Sequence, residues 1–121
     1  MVIIGGGLSG SSTALNLSKK GYSVLVIEKE KDQYYKPCAG GMASSMKKFL
    51  PLDIEDSIES KINNVEFRWK AVDNVTADLT GESPFWIIKR EKFDQLILDE
   101  SLRNGVQIIR PVLVEEIIKK K

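Results

Sequence analysis

The chain has 121 residues, 42% hydrophobic and 29% charged, with 18 Lys and Arg against 17 Asp and Glu for a net charge of +1. That length suits one small domain with its own core, and the balanced charge offers no electrostatic case for nucleic acid, whose binders show a basic patch or stripe. The absence of His and the single Cys, Cys38, remove histidine acid–base chemistry, intrachain disulfides and cysteine zinc sites.

In chain order, Val2-Ile3-Ile4 is a short β-branched run that predicts a buried strand. Residues 5–10 form a glycine loop. Residues 9–20 predict a helix, closed by Gly21 as a C-cap, with Lys19 and Lys20 at the negative end of its dipole. Val24-Leu25-Val26-Ile27 is a continuous apolar run, of the kind found in a parallel strand covered on both faces. A polar loop follows over 29–41. A short helix is expected over 42–49, stopped by Pro51, and a weaker one over 54–62. Residues 64–70, 72–79 and 85–89 predict strands, with Thr80-Gly81 turning the chain before the last. Phe93, Leu96 and Ile97 at helical spacing predict a helix over 91–103, ended by Asn104-Gly105. A buried-type strand is expected over 106–109, and another over 112–118 after Pro111. The Lys119-Lys120-Lys121 end reads as a solvated terminus.

The segment that carries chemistry is Gly5-Gly6-Gly7-Leu8-Ser9-Gly10, in which Gly5, Gly7 and Gly10 satisfy G-x-G-x-x-G. Gly5 permits the tight turn off the strand, Gly7 lets the backbone approach a pyrophosphate, and Gly10 lets the helix pack close to the strands. Leu8, Ser9 and Gly10 open a helix whose free N–H groups and dipole favour phosphate. Alone the motif is weak, but here a strand precedes it, a helix follows, and a second strand ends at Glu28. That carboxylate lies 18 residues after Gly10, near the ~20 at which an acidic residue meets ribose hydroxyls. An acidic residue there also repels a 2′-phosphate, so the unit suits FAD or NAD over NADP. The plain alternative is a surface charge at a strand end.

The run Gly-Gly-Gly-Leu-Ser-Gly-Ser-Ser-Thr-Ala, followed by Val-Leu-Val-Ile-Glu-Lys, resembles the start of FAD-dependent oxidoreductases of the p-hydroxybenzoate hydroxylase-like fold. Lys36-Pro37-Cys38-Ala39-Gly40-Gly41-Met42 is similar to the C-x-G-G segment of the geranylgeranyl reductase family within that fold, whose loop often reads Cys-Gly-Gly-Gly; Ala39 departs from it. Arg90-Glu91-Lys92-Phe93-Asp94 resembles the family's R-x-x-F-D helix start. The resemblance implies FAD as cofactor, bound by Gly5, Gly7, Leu8, Ser9, Gly10, Glu28 and Lys29. It places Cys38, Ala39, Gly40 and Gly41 beside the flavin and Arg90 near the cofactor's phosphate and ribose region. It further implies an isoprenoid or lipid-like substrate, with NADPH or ferredoxin as electron donor and Cys38 linked to substrate handling.

Each of these residues has a plainer reading. Cys38 reads equally as a small, partly buried residue without chemistry; Lys36 is the only nearby cation to stabilise a thiolate. Arg90 reads equally as a partner for Asp94 one helical turn on. Trp69 and Trp86 suit either an apolar substrate pocket or plain core.

The expected class is α/β: a Rossmann-like FAD-binding βαβ unit with a parallel sheet, plus the first antiparallel strands of a substrate domain. The expected division is 1–62 for the FAD-binding unit and cysteine loop, 63–90 for the substrate strands, and 91–121 for the return to the FAD-binding domain. The resemblance covers essentially the whole chain but only about the first third of a family member, so a truncated chain is expected. Two alternatives stay open: an aromatic hydroxylase or halogenase on the same fold, and a non-catalytic nucleotide-binding fragment. No run reaches the ~20 apolar residues of a spanning helix. A reducing, cytoplasmic setting is expected, with contact at a membrane surface left open.

Overall fold

The computed structural model describes residues 1–32, 37–50, 52–70, 72–79 and 84–118. Its elements are β1 (Val2–Ile4), α1 (Leu8–Lys19), β2 (Leu25–Ile27), β3 (Gly41–Ala43), β4 (Ile58–Ile62), β5 (Asn64–Trp69), β6 (Asp73–Asp78), β7 (Phe85–Ile88), α2 (Arg90–Arg103) and β8 (Gln107–Ile109), with 3-10 turns at Ser44–Phe49 and Glu55–Ser57. The chain divides into two compact units, Met1–Lys36 with Glu91–Lys121, and Pro37–Arg90. The second unit takes in residues 37–62, which the sequence groups with the nucleotide-binding segment.

In the first unit three parallel strands lie in the order β1-β2-β8. Their register aligns Ile4 with Ile27 and Ile27 with Ile109, so all three carboxyl ends finish level. The core joins Ala14 to Val24, Val26 and Val106, with Ile3, Leu17 and Ile108 packed against it. Val26, fully buried in the central strand, contributes about 1.5–3 kcal/mol by leaving water. The end of α1 is built as expected. Gly21 has φ +84°, its N–H donates to the Ser18 carbonyl at 2.8 Å, and the Tyr22 N–H donates to the Leu17 carbonyl at 3.1 Å. That pair of bonds is a Schellman cap, and it sets the direction in which the chain enters β2. On α2, Phe93, Asp94, Ile97, Leu98 and Ser101 form the buried stripe.

The second unit contains an antiparallel sheet in the order β3-β7-β4 and a separate hairpin, β5-β6. Three expectations are corrected. Residues 42–49 form no α-helix: Met42 and Ala43 pair with Trp86 and Phe85, and Ser44–Phe49 makes a 3-10 turn with no buried residue. Without an apolar face to bury, weak helix propensity yields to strand pairing. Residues 54–62 form a 3-10 turn and β4. The spacing Ile54, Ile58, Ile62 is four, which suits a helix face but is also a multiple of the strand period; pairing with β7 decides it. Residues 112–118 form no strand, because no described strand runs beside them, and Leu113, Ile117 and Ile118 stay exposed. The Thr80-Gly81 turn, Lys36, Pro51 and the three terminal lysines lie outside the described residues.

The β5-β6 hairpin is two-faced. Val65, Phe67 and Trp69 stand opposite Ala77, Val75 and Asp73, and alternation puts this mostly apolar set on one face. That face is open: Trp69 is 69% exposed. Trp86 instead belongs to the core at 6% exposure, with the Lys47 and Lys61 ammoniums 6.0 and 5.9 Å from its ring centre.

Candidate nucleotide site

The turn from β1 into α1 is closed by the Gly5 N–H donating to the Ile27 carbonyl at 2.8 Å, and Gly5 takes φ +97°. A Cβ on Gly10 would stand 1.8 Å from the Gly5 carbonyl oxygen, so only glycine lets α1 start this close to the loop. Gly7 is the N-cap of α1, without a side-chain cap; the N–H groups of the first turn at Leu8, Ser9 and Gly10 are the donors a helix offers to an anion. Ser11 anchors the loop from behind, its Oγ donating to the Gly6 carbonyl at 2.7 Å.

Glu28 stands beside this loop at the end of β2. Its Oε2 accepts the Gly6 N–H, and its Oε1 accepts the Glu30 N–H at 2.9 Å. The carboxylate is thereby oriented by backbone donors. A Cβ on Gly6 would approach Glu28 Cβ and Oε2 to 3.3 Å, so Gly6 leaves room for that contact.

Above the strand ends lies a cleft of about 360 Å³ lined by Gly5, Gly6, Gly7, Glu28, Lys29 and Arg110, among others. Ligands of open parallel sheets bind at the carboxyl ends of the strands, and this volume falls within the range of small-molecule sites. Of the expected residues, Gly5, Gly7, Glu28 and Lys29 meet in this cleft; Leu8, Ser9 and Gly10 continue it into α1. Sequence reasoning missed Gly6, Asp32, Leu98, Arg110 and the Val112–Val114 stretch, all of which line it. Gly6 stood in the motif as an unspecified residue. Asp32 lies on the segment just after β2, and the others had no local signal, because they reach the cleft only through the pairing of β8 with β2 and the packing of α2.

The remaining expected residues belong to the second unit. Cys38 is exposed, and its Sγ accepts the Gly40 N–H at 3.4 Å. Gly40 takes φ +72°, and a Cβ there would lie 2.1 Å from the Ile88 carbonyl oxygen. On Gly41 a Cβ would lie 2.6 Å from Phe85 Cζ. Gly40 is thus required by the pairing of this segment with β7, whereas a side chain at Gly41 would have to displace the tip of the Phe85 ring. Ala39 is exposed between them and Cys38. Arg90 is half-buried at the first position of α2, and Arg90 and Asp94 both have interaction partners. Among the described residues no group of His, Cys, Asp or Glu could hold a metal, and no helix is long and apolar enough to cross a membrane.

A protein-family model described as FAD dependent oxidoreductase matches residues 1–45. Protein Mbar_A1602 of Methanosarcina barkeri is 29% identical over 97% of the chain and 30% of its own length. Among solved structures, a geranylgeranyl bacteriochlorophyll reductase-like protein from Thermoplasma acidophilum aligns with TM-score 0.77 and 19% identity over 88% of this chain and 28% of that one. The flavin-dependent brominase Bmp2 aligns with TM-score 0.74 and 26% identity over 98% and 30%. The chain thus spans about 30% of the length of the curated relatives it matches. The fold is that of FAD-binding α/β oxidoreductases, and the matched family description supports FAD as the cofactor.

Proposed function

We propose that the chain forms the nucleotide-binding part of an FAD-dependent oxidoreductase, and that the cleft at the ends of β1, β2 and β8 takes the adenosine end of FAD. The observation that carries this reading is the meeting of the Gly5–Gly10 turn with the Glu28 carboxylate in one cleft. Bound FAD supplies hydride and electron-transfer chemistry. The chain's own residues bind and orient it. The first-turn N–H groups of α1 would hold the pyrophosphate, Gly7 would let it approach, and the Glu28 carboxylate would accept the ribose hydroxyls. The family resemblance implies Lys29 as a cofactor-binding residue and Arg90 near the cofactor's phosphate and ribose region.

The substrate reading rests on the Cys38-Ala39-Gly40-Gly41 segment: reduction of a double bond in an isoprenoid chain, with NADPH or ferredoxin as donor. Cys38, exposed on its loop, is the residue assigned to substrate handling. A second reading, halogenation or hydroxylation on the same fold, is favoured by the brominase, which is 26% identical over 98% of this chain. Titration of the purified chain with FAD, followed by flavin fluorescence, tests the cofactor assignment. Saturable binding that Glu28→Gln weakens is expected, and a folded chain that leaves flavin fluorescence unchanged overturns it. In the complete protein, reduction of a prenyl chain against halide-dependent turnover of an aromatic separates the two substrate readings.

A further inference from the structure

Two cations line the nucleotide cleft, Lys29 and Arg110, and they are not equivalent. Lys29 lies 3.7 Å from Glu30 as an ion pair. Arg110 is exposed and makes no ion pair among the described residues. Its position is nevertheless fixed. The Glu28 N–H donates to the Ile109 carbonyl at 3.0 Å, and the Val112 N–H donates to the Glu28 carbonyl at 2.8 Å. These two bonds bracket Arg110 and carry the β2–β8 register one step past its last partners, Ile27 and Ile109, so that Arg110 stands across from Glu28. The two residues are neighbours across the strands, the Glu28 oxygens accept the Gly6 and Glu30 N–H groups, and Arg110 lines the cleft.

We propose that Arg110 is a specificity-determining residue for the base of the bound nucleotide, its planar guanidinium forming a platform for the adenine ring while Glu28 holds the ribose. A guanidinium stacks on aromatic faces and attracts their electrons, and it does so without being consumed by an ion pair. Purines present the larger face, so the platform selects adenine over a pyrimidine. The proposal rests on the cleft being the adenosine site of FAD.

ADP and UDP share ribose and diphosphate and differ only in the base, so their ratio of affinities isolates the platform. Calorimetric titration of the full chain is expected to show ADP bound more tightly than UDP. Arg110→Ala is expected to weaken ADP about 3- to 30-fold and UDP less than twofold, with the unliganded unfolding temperature unchanged because the side chain is exposed. Arg110→Lys keeps the charge but not the plane and is expected to lose the ADP preference as well. Equal weakening of both nucleotides by Arg110→Ala overturns the proposal, since the charge then acts on the diphosphate. So does an unchanged ADP affinity, or full selectivity in Arg110→Lys. If the unsubstituted chain binds neither ADP nor FAD, the nucleotide site itself is refuted and the Arg110 assignment falls with it.

Discussion

At the scale of single residues the nucleotide cradle depends on missing atoms and on one carboxylate. Gly10→Ala puts a methyl group 1.8 Å from the Gly5 carbonyl oxygen, and backbone cannot yield as a side-chain tip does. The expected result is a loss of at least about 1–3 kcal/mol in denaturant unfolding, together with loss of FAD binding. Glu28→Gln removes the negative charge facing the ribose but keeps the shape. Hydrogen bonds to a charged group are worth about 1.5–3 kcal/mol, so FAD and ADP affinity should fall about 10- to 100-fold in titration. The unfolding midpoint reports separately on the lost contact with Gly6. The glycine spacing and Glu28 were legible from sequence because each acts through its own backbone or charge at a fixed offset. Arg110 was not, because its place in the cleft depends on the register of a strand more than 80 residues away in sequence from Glu28 (110 against 28).

At the scale of elements the decisive contact of the second unit is between β3 and β7. Gly40 accepts the Ile88 N–H at 2.9 Å through its carbonyl, while its own φ of +72° and the nearby Ile88 oxygen exclude a side chain. Gly40→Ala should therefore destabilise the protein by about 1–3 kcal/mol, read as a lower unfolding midpoint. The β5-β6 hairpin makes the opposite prediction. Trp69→Thr replaces a large but exposed side chain with another strand-favouring residue, and the change in unfolding free energy should stay within about 0.5 kcal/mol. A shift of several kcal/mol would show that this face is covered in solution. The helices α1 and α2 and all the parallel strands were readable because their apolar patterns bury against neighbours nearby in sequence or on both faces. The segments 42–49 and 54–62 were not: the first has no apolar face for a helix to bury, the isoleucines of the second lie four apart and satisfy both periods, and pairing with β7 selects the strand at Met42-Ala43 and at Ile58–Ile62.

At the scale of the whole molecule, stability is unevenly distributed. In the first unit the buried set Ala14, Val24, Val26 and Val106 closes around the central strand. In the second, the hairpin exposes Phe67, Trp69 and Val75, and a lone two-stranded hairpin is marginal in water. Native-state amide exchange is expected to be slowest in β2 and slower there by orders of magnitude than in β5 and β6; equal protection of the two would refute this distribution.

The amino-acid sequence by itself determined the βαβ opening, the glycine turn and the acidic residue at the end of β2. Each of these is written in local terms: a periodicity, a residue without a Cβ, a charge at a set distance along the chain. Only the tertiary structure decided how Glu28 is held, which further residues close the cleft, and that Gly40 answers to β7. Those outcomes depend on which strands meet and in what register, and register is a property of pairs of segments that neither segment carries alone.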